Sequence, residues 1–325
     1  MNRLYDSMTS WADSGKRMPR PAILRVTELE DRSTPAVHGF NVFGAAFGQP
    51  PIVTVTRSDG SVLARVQAYD AAFRGGVSAA LGEIDGNPNT IELVTGAGPG
   101  GGPHVKVFSV DATGAITVEA SFFAFAPTFA GGVSVATGDI TGDGRAEVVV
   151  GAGPGGGPHV RSFIVNPFAG VVQVPGPLGS FFAFDAAFRG GVNVAAGDLN
   201  GDGRAEVVAA AGPGGGPHVI AWTATGQRVA NFFAFPAAFT GGVTLAPIVA
   251  TGQLLLGAGP TGAFGASQLT IVGPSSFLSA LTPFSFTPLG VDLLGAGNSS
   301  GALVSPLLTS LFGPNPILSG MTLVG

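Results

Sequence analysis

The sequence predicts an all-β chain, a β-propeller of four-stranded blades. Three observations carry that prediction: a unit that recurs along the chain, four strand-like runs inside each full unit, and no segment with a helical apolar period.

The recurrence is read from three markers. "GGV" stands at 75–77, 131–133, 190–192 and 241–243, with a shortened "GV" at 290–291. An aromatic run precedes each: "QAYDAAFR", "FFAFAPTFA", "FFAFDAAFR", "FFAFPAAFT" and "FSFTPL". The third marker is "GAGPGGGPHV" at 96–105 and 151–160, with "AAGPGGGPHV" at 210–219. Its first copy contains a G-x-G-x-x-G string, which in a dinucleotide site follows a strand and opens a helix. Here Pro103 blocks a helical continuation, and Val105 and Phe108 suit a strand. A cofactor loop is used once per domain, whereas a string used three times belongs to the architecture.

Inside one full unit, "GVSVATGDI", "AEVVVGAG", "HVRSFIV" and "SFFAF" are short, β-branched or aromatic, and bounded by Gly, Pro and Asp. Four such strands in ~40–50 residues make a propeller blade. The Gly-rich string then joins strands two and three, and the Phe-rich strand fills space between neighbouring blades. Residues 43–69 read as the back of a unit, and 290–325 begin like a unit but lack the Phe-rich strand. The expectation is one composite closing blade and five blades in all, or six if the C-terminal segment folds as a blade by itself. Closure is preferred over an open stack because it removes exposed strand edges. The propeller is assigned to 38–325, behind a largely unstructured tail at 1–37 that serves as an export or surface tag.

Composition narrows the function classes. The chain has 325 residues, 53 Gly, 25 Pro and 24 Phe, with only 11% charged residues, and its 45% hydrophobic content is enough for a real core. A net charge of −5 disfavours nucleic acid as a partner. The absence of cysteine excludes disulfides, thiolate metal sites and a thiol nucleophile. No apolar run is long enough for a transmembrane helix, and the first 37 residues hold no apolar stretch of the standard secretory kind.

The chemistry lies between strands one and two. "DITGDGRAE" (139–147) recurs as "DLNGDGRAE" (198–206), placing side-chain oxygens at alternate positions. The first copy offers Asp139, Thr141, Asp143 and Glu147, the second Asp198, Asn200, Asp202 and Glu206. Gly144 and Gly203 provide the sharp turn, and Arg145 and Arg204 offer backbone carbonyls. Hard oxygens at this spacing around a turn glycine follow the logic of the EF-hand loop, here closed by a strand, and suit Ca2+ better than Mg2+. The competing reading is an Asp-Gly turn that only stabilises a hairpin. A third copy, "EIDGNPNTIE" (83–92), departs from the pattern with one extra residue and Pro88 in place of the turn glycine. Glu83, Asp85, Asn87 and Glu92 are its candidate ligands. The fourth unit, "APIVATGQLLLGAG", has no acids and is expected to hold no ion.

The acid loop followed by "EVVVGAGPGGGP" resembles the FG-GAP repeat of integrin-α-type β-propellers, called VCBS-like in bacterial proteins. The resemblance covers about 40–290. It implies a propeller, calcium held in blade hairpins, and adhesion or ligand binding at the cell surface. The loops here end in Glu where the family usually has Asp. "TELEDRSTPA" (27–36) is similar to a short N-terminal tag of exported bacterial proteins.

His104, His159 and His218 occupy one place in three successive units, and are expected to be loop residues and not zinc ligands. Asp70 and Asp185, followed by Arg74 and Arg189, are explained by a local ion pair or a turn cap. No nucleophile, base and orienting acid are seen together. From 245 onward the only charged residue is Asp292, a stretch that either is buried in degenerate units or docks on a partner or a second copy. The expected function is a calcium-stabilised extracellular binding or adhesion module for a protein or glycan ligand. The alternatives are a propeller-fold enzyme, a hydrolase or lyase with its site at the channel mouth, and a structural component of the cell envelope.

Overall fold

A computed structural model of the chain describes residues 39–248, 253–258 and 269–272. Every regular element among them is a β-strand, and the strands form five antiparallel sheets. The first contains β1 (Phe40–Phe43), β2 (Ile52–Arg57) and β3 (Val62–Gln67). The second contains β4 (Val77–Gly82), β5 (Thr90–Ala97), β6 (His104–Asp111) and β7 (Ile116–Phe123), in that order across the sheet. In the third, β8 (Val133–Gly138), β9 (Glu147–Ala152) and β10 (His159–Asn166) are followed by an outer strand in two pieces. These pieces, β11 (Gly170–Gln173) and β12 (Ser180–Phe182), both pair with β10. The fourth runs β13 (Val192–Gly197), β14 (Glu206–Ala211), β15 (His218–Trp222) and β16 (Arg228–Phe233). The fifth has β17 (Val243–Ile248), β18 (Gln253–Ala258) and β19 (Leu269–Val272).

These sheets pack face to face in sequence order, as blades do. Four buried clusters each bridge two neighbours. Val53 and Val55 pack with Leu93 and Phe108, and Val105 and Val107 with Val148 and Phe163. Val149 and Val160 pack with Val194 and Trp222, and Val208 and Val219 with Leu254 and Leu256. The first strands of consecutive sheets, β4, β8, β13 and β17, lie side by side, which sets them on the inside of the array. Side chains on these strands link the blades further. The Ser134 hydroxyl donates to the Val192 carbonyl at 2.8 Å, the Thr137 hydroxyl to the Leu81 carbonyl, and the Asn193 amide to the Val243 carbonyl at 2.7 Å.

The glycine string joins the second and third strands of its blade, as its neighbours in the sequence imply. One glycine shows why no side chain is admitted. Gly132 has φ +73°, and a Cβ there would stand 2.3 Å from the Gly98 carbonyl carbon of the preceding blade. The three repeated histidines also sit between blades. The His159 ring lies 5.1 Å from that of Phe125 and 4.9 Å from that of Phe182, and its Nε2 shares a hydrogen bond of 2.8 Å with the Ser180 hydroxyl. His104 and His218 repeat this sandwich. Burial, and for His104 and His159 a basic residue two positions on, lowers the pKa of those two rings. Among the described residues no histidine joins a metal-binding cluster.

Asp70 and Asp185 cap turns. Their Oδ1 atoms accept from the Ala72 and Ala187 amides at 2.8 and 2.7 Å, and Arg74 and Arg189 donate to nearby backbone carbonyls. The first sheet has three strands, and its β1 begins at Phe40, ahead of the expected 43. The segment 290–325, expected to complete that blade, lies outside the described residues, as do the tail 1–37 and most of the low-charge C-terminal part.

Candidate metal centre

Each acid loop connects the first strand of a blade to the second, at the end opposite the glycine string. Antiparallel pairing fixes both ends of the 139–147 loop, since Gly138 stands across from Glu147. Asp139 and Glu147 are buried, and Asp143 at the tip is exposed. Asp139 Oδ1 accepts from the Gly142 amide at 2.6 Å and Oδ2 from the Gly144 amide at 2.8 Å. Both glycines hold positive φ, so the chain can curl around that carboxylate. Glu147 Oε2 accepts from the Ile140 and Thr141 amides at 2.7 and 3.0 Å, and Oε1 from the Thr141 hydroxyl at 3.1 Å. One carboxylate oxygen from each of Asp139, Asp143 and Glu147 falls within 4.8 Å of the others. Burial, with the Asp139 charge as a smaller cause, pushes the Glu147 carboxyl up to about 7 despite its hydrogen bonds. Three clustered acids around a curled turn fit a divalent cation bound by hard oxygens.

The 198–206 loop has the same backbone and a different interior. Asp198 accepts from the Gly201 and Gly203 amides at 2.6 and 2.9 Å, and Glu206 Oε2 from the Leu199 amide at 2.8 Å. The Asn200 amide nitrogen, however, donates to Glu206 Oε1 at 2.6 Å and to Asp202 Oδ2 at 3.1 Å. Asp198, Asp202 and Glu206 do not form a three-carboxylate group of the kind seen at 139–147. An ion here requires Asn200 to turn its oxygen inward, because its NH2 group can only donate. Burial raises the Glu206 carboxyl to about 7.

The divergent 83–92 loop does converge: Glu83, Asp85 and Glu92 bring carboxylate oxygens within 4.8 Å of one another. Asn87 turns away, its Oδ1 accepting from the Asn89 amide at 3.2 Å. Glu92 is fully buried. Its Oε2 accepts from the Ile84 amide at 2.8 Å, and its Oε1 has no hydrogen-bond partner. Burial and then the neighbouring acids, Asp85 first, push Glu92 up to about 7.

Two features of these loops are not visible in the motif. Arg145 and Arg204 were expected to contribute carbonyls, and the structure shows a use for their side chains. The guanidinium of each reaches the acid loop of the preceding blade, Arg145 over Gly86 and Arg204 over Gly142. Beside them, the Ala146 amide donates to the Glu83 carbonyl and the Ala205 amide to the Asp139 carbonyl, each at 2.6 Å. The acid loops are therefore chained together, blade to blade. The second feature is Glu119 on β7, whose carboxyl lies against the Asp85 side chain of the first loop.

Stacked antiparallel sheets with first-strand edges inward and acidic loops at one end define a repeat β-propeller. The model of the FG-GAP repeat matches residues 131–174 and 190–227, which places the match on the third and fourth blades. No curated protein sequence matches the chain. Similar solved structures include the rhamnogalacturonan lyase YesW, at 10% identity and TM-score 0.40, covering 73% of this chain and 47% of that one. A rhamnogalacturonan lyase of Bacillus licheniformis is 13% identical with TM-score 0.36, covering 68% and 53%. A protein from Lactobacillus plantarum is 17% identical with TM-score 0.35, covering 67% and 63%. The chain thus spans about half the length of the two lyases. Among the described residues no helix is long and apolar enough to cross a membrane.

Proposed function

We propose that this chain is a calcium-stabilised extracellular propeller that acts as a binding or adhesion module. The observation that carries the reading is the convergence of Asp139, Asp143 and Glu147 inside an FG-GAP repeat. Calcium would neutralise these acids and pin the loop, and ion-binding energy would become folding energy. Asp139, Thr141, Asp143, Glu147 and the Arg145 carbonyl are the ligands proposed for that loop. Asp198, Asn200, Asp202, Glu206 and the Arg204 carbonyl are their counterparts in the next. The role is structural, since the loops are built from backbone amides and carboxylates with no nucleophile among them.

The opposite end of the blades supports ligand binding. Phe123, Phe182 and Phe233 end the outer strands of three successive blades, and each is more than half exposed. Exposed aromatic side chains repeated at one level give a protein or glycan ligand apolar surface to cover. A melting curve with calcium and after EDTA tests the metal, and glycan and protein arrays probed with and without calcium test the ligand. The reading predicts a reversible rise in melting temperature and calcium-dependent capture on an array. Unchanged melting at millimolar calcium would remove the metal, and capture that ignores both calcium and the three phenylalanines would remove the binding face.

A further inference from the structure

The second blade replaces a hydrogen-bond donor with an acid, and the consequence can be followed atom by atom. In the third and fourth blades the last glutamate of the loop is fully satisfied. Its Oε2 takes a backbone amide, and its Oε1 takes a donor from the third loop position, the Thr141 hydroxyl or the Asn200 amide. In the second blade that position is Asp85, which has no proton to give when ionised. Glu92 Oε1 is accordingly left buried and unpartnered in a side chain that is 0% exposed. A buried oxygen of this kind is destabilising, the more so when charged, unless something supplies the missing positive partner.

A fourth carboxylate arrives from outside the loop. On β7, Val118 pairs with Phe108 and Ala120 with Val107, which leaves Glu119 as the extra residue of a β-bulge. Bulges re-aim the side chain they carry. The same bulge occurs in the first and fourth blades, where the extra residue is Leu63 or Val229 and packs into an apolar cluster. Among the three described blades that carry this bulge, the second alone has an acid there, and this is also the blade whose loop carries Asp85. Glu119 lies against Asp85 and Ser109, and its Oε2 is buried with no partner. Two replacements, each unfavourable alone, therefore meet at Asp85 and leave two buried carboxylate oxygens, Glu92 Oε1 and Glu119 Oε2, without a hydrogen-bond partner.

We propose that Glu83, Asp85, Glu92 and the bulge residue Glu119 form a divalent-cation site of their own, in which the ion ties the outer strand β7 to the loop between β4 and β5. The proposal rests on the reading of the acid loops as calcium sites, and departs from it in taking a ligand from outside the loop motif. Four carboxylates give this blade the highest ligand charge, and calcium affinity rises with that charge.

The test is a calorimetric calcium titration of the full chain at neutral pH, with hydrogen exchange of the β7 amides read with and without calcium. Glu119→Gln keeps the shape of the side chain, and Glu119→Val installs the type of residue the fourth blade uses, so at least one variant should keep the fold. The proposal predicts that either variant weakens one class of site by roughly tenfold or more. It also predicts that calcium protects β7 in the parent chain and not in the variants. Asp139→Asn should leave this class intact and remove another. Binding unaltered by Glu119→Gln, with β7 exchange indifferent to calcium, would overturn the proposal while leaving the 139–147 site standing. No calcium uptake by the parent chain would overturn both readings.

Discussion

Chelation should turn the pH dependence of stability against the protein. In the apo chain Glu92, Glu147 and Glu206 are buried at 0–2% exposure, and burial pushes each carboxyl up to about 7, above the ordinary glutamate range. A carboxyl with a raised folded pKa binds its proton more tightly folded than unfolded. Its contribution to stability is therefore fully present below the unfolded value and is lost as pH climbs through the folded one. At about 1.4 kcal/mol per pKa unit, each group removes about 3 kcal/mol between about pH 4.5 and 7. Even one such loss is a sizeable share of the stability of an ordinary domain, which is about 5–15 kcal/mol. Calcium acts in the opposite direction, because it binds the deprotonated groups and its stabilisation grows over the same interval. Urea unfolding followed by the fluorescence of buried Trp222, in EDTA and in millimolar calcium, reads both curves. In EDTA stability should fall steeply from about pH 5 to 8, and calcium should restore it at the upper end and do nothing at the lower. A flat or rising apo curve would refute the reasoning, since the carboxylates would then not be held in the folded loops without a compensating charge.

Further predictions separate the blade contacts from the loops. Gly132→Ala adds a Cβ 2.3 Å from the backbone of the preceding blade at positive φ, whereas Gly144→Ala has positive φ and open space. The first should cost at least about 3 kcal/mol and the second about 1, measured by chemical denaturation. Thr141→Val removes the donor to Glu147 Oε1 and should cost about 1–3 kcal/mol in EDTA. Because Thr141 is also a proposed ligand, the cost should be no smaller in calcium, and the calcium isotherm should weaken. His159→Ala empties the space between Phe125 and Phe182 and should lower the melting temperature while leaving the calcium isotherm unchanged. A lost isotherm would mean that the histidine acts on the loops.

The repeat markers made the blades legible, because "GGV", the Phe-rich run and the glycine string each stand where a backbone constraint recurs. The acid loops were legible for the same reason, as alternate oxygens around a turn glycine leave a local pattern. What stayed hidden depends on contacts between distant residues. Glu119 is a lone acid in "AITVEASFF", and only the bulge on β7 aims it at Asp85. Arg145 reads as one more loop residue, yet its guanidinium crosses to the preceding blade. The difference between the 139–147 and 198–206 loops also escapes the motif. Thr141 and Asn200 are both oxygen donors to an ion, but only Asn200 brings an NH2 group that can bridge two carboxylates in the ion's absence.

A crystal structure grown in calcium would test the central claim most directly. The account predicts a cation peak among Asp139, Asp143 and Glu147 with oxygens at about 2.3–2.6 Å. It would be contradicted by a loop that stays metal-free at millimolar calcium with Glu147 still accepting from the Thr141 hydroxyl.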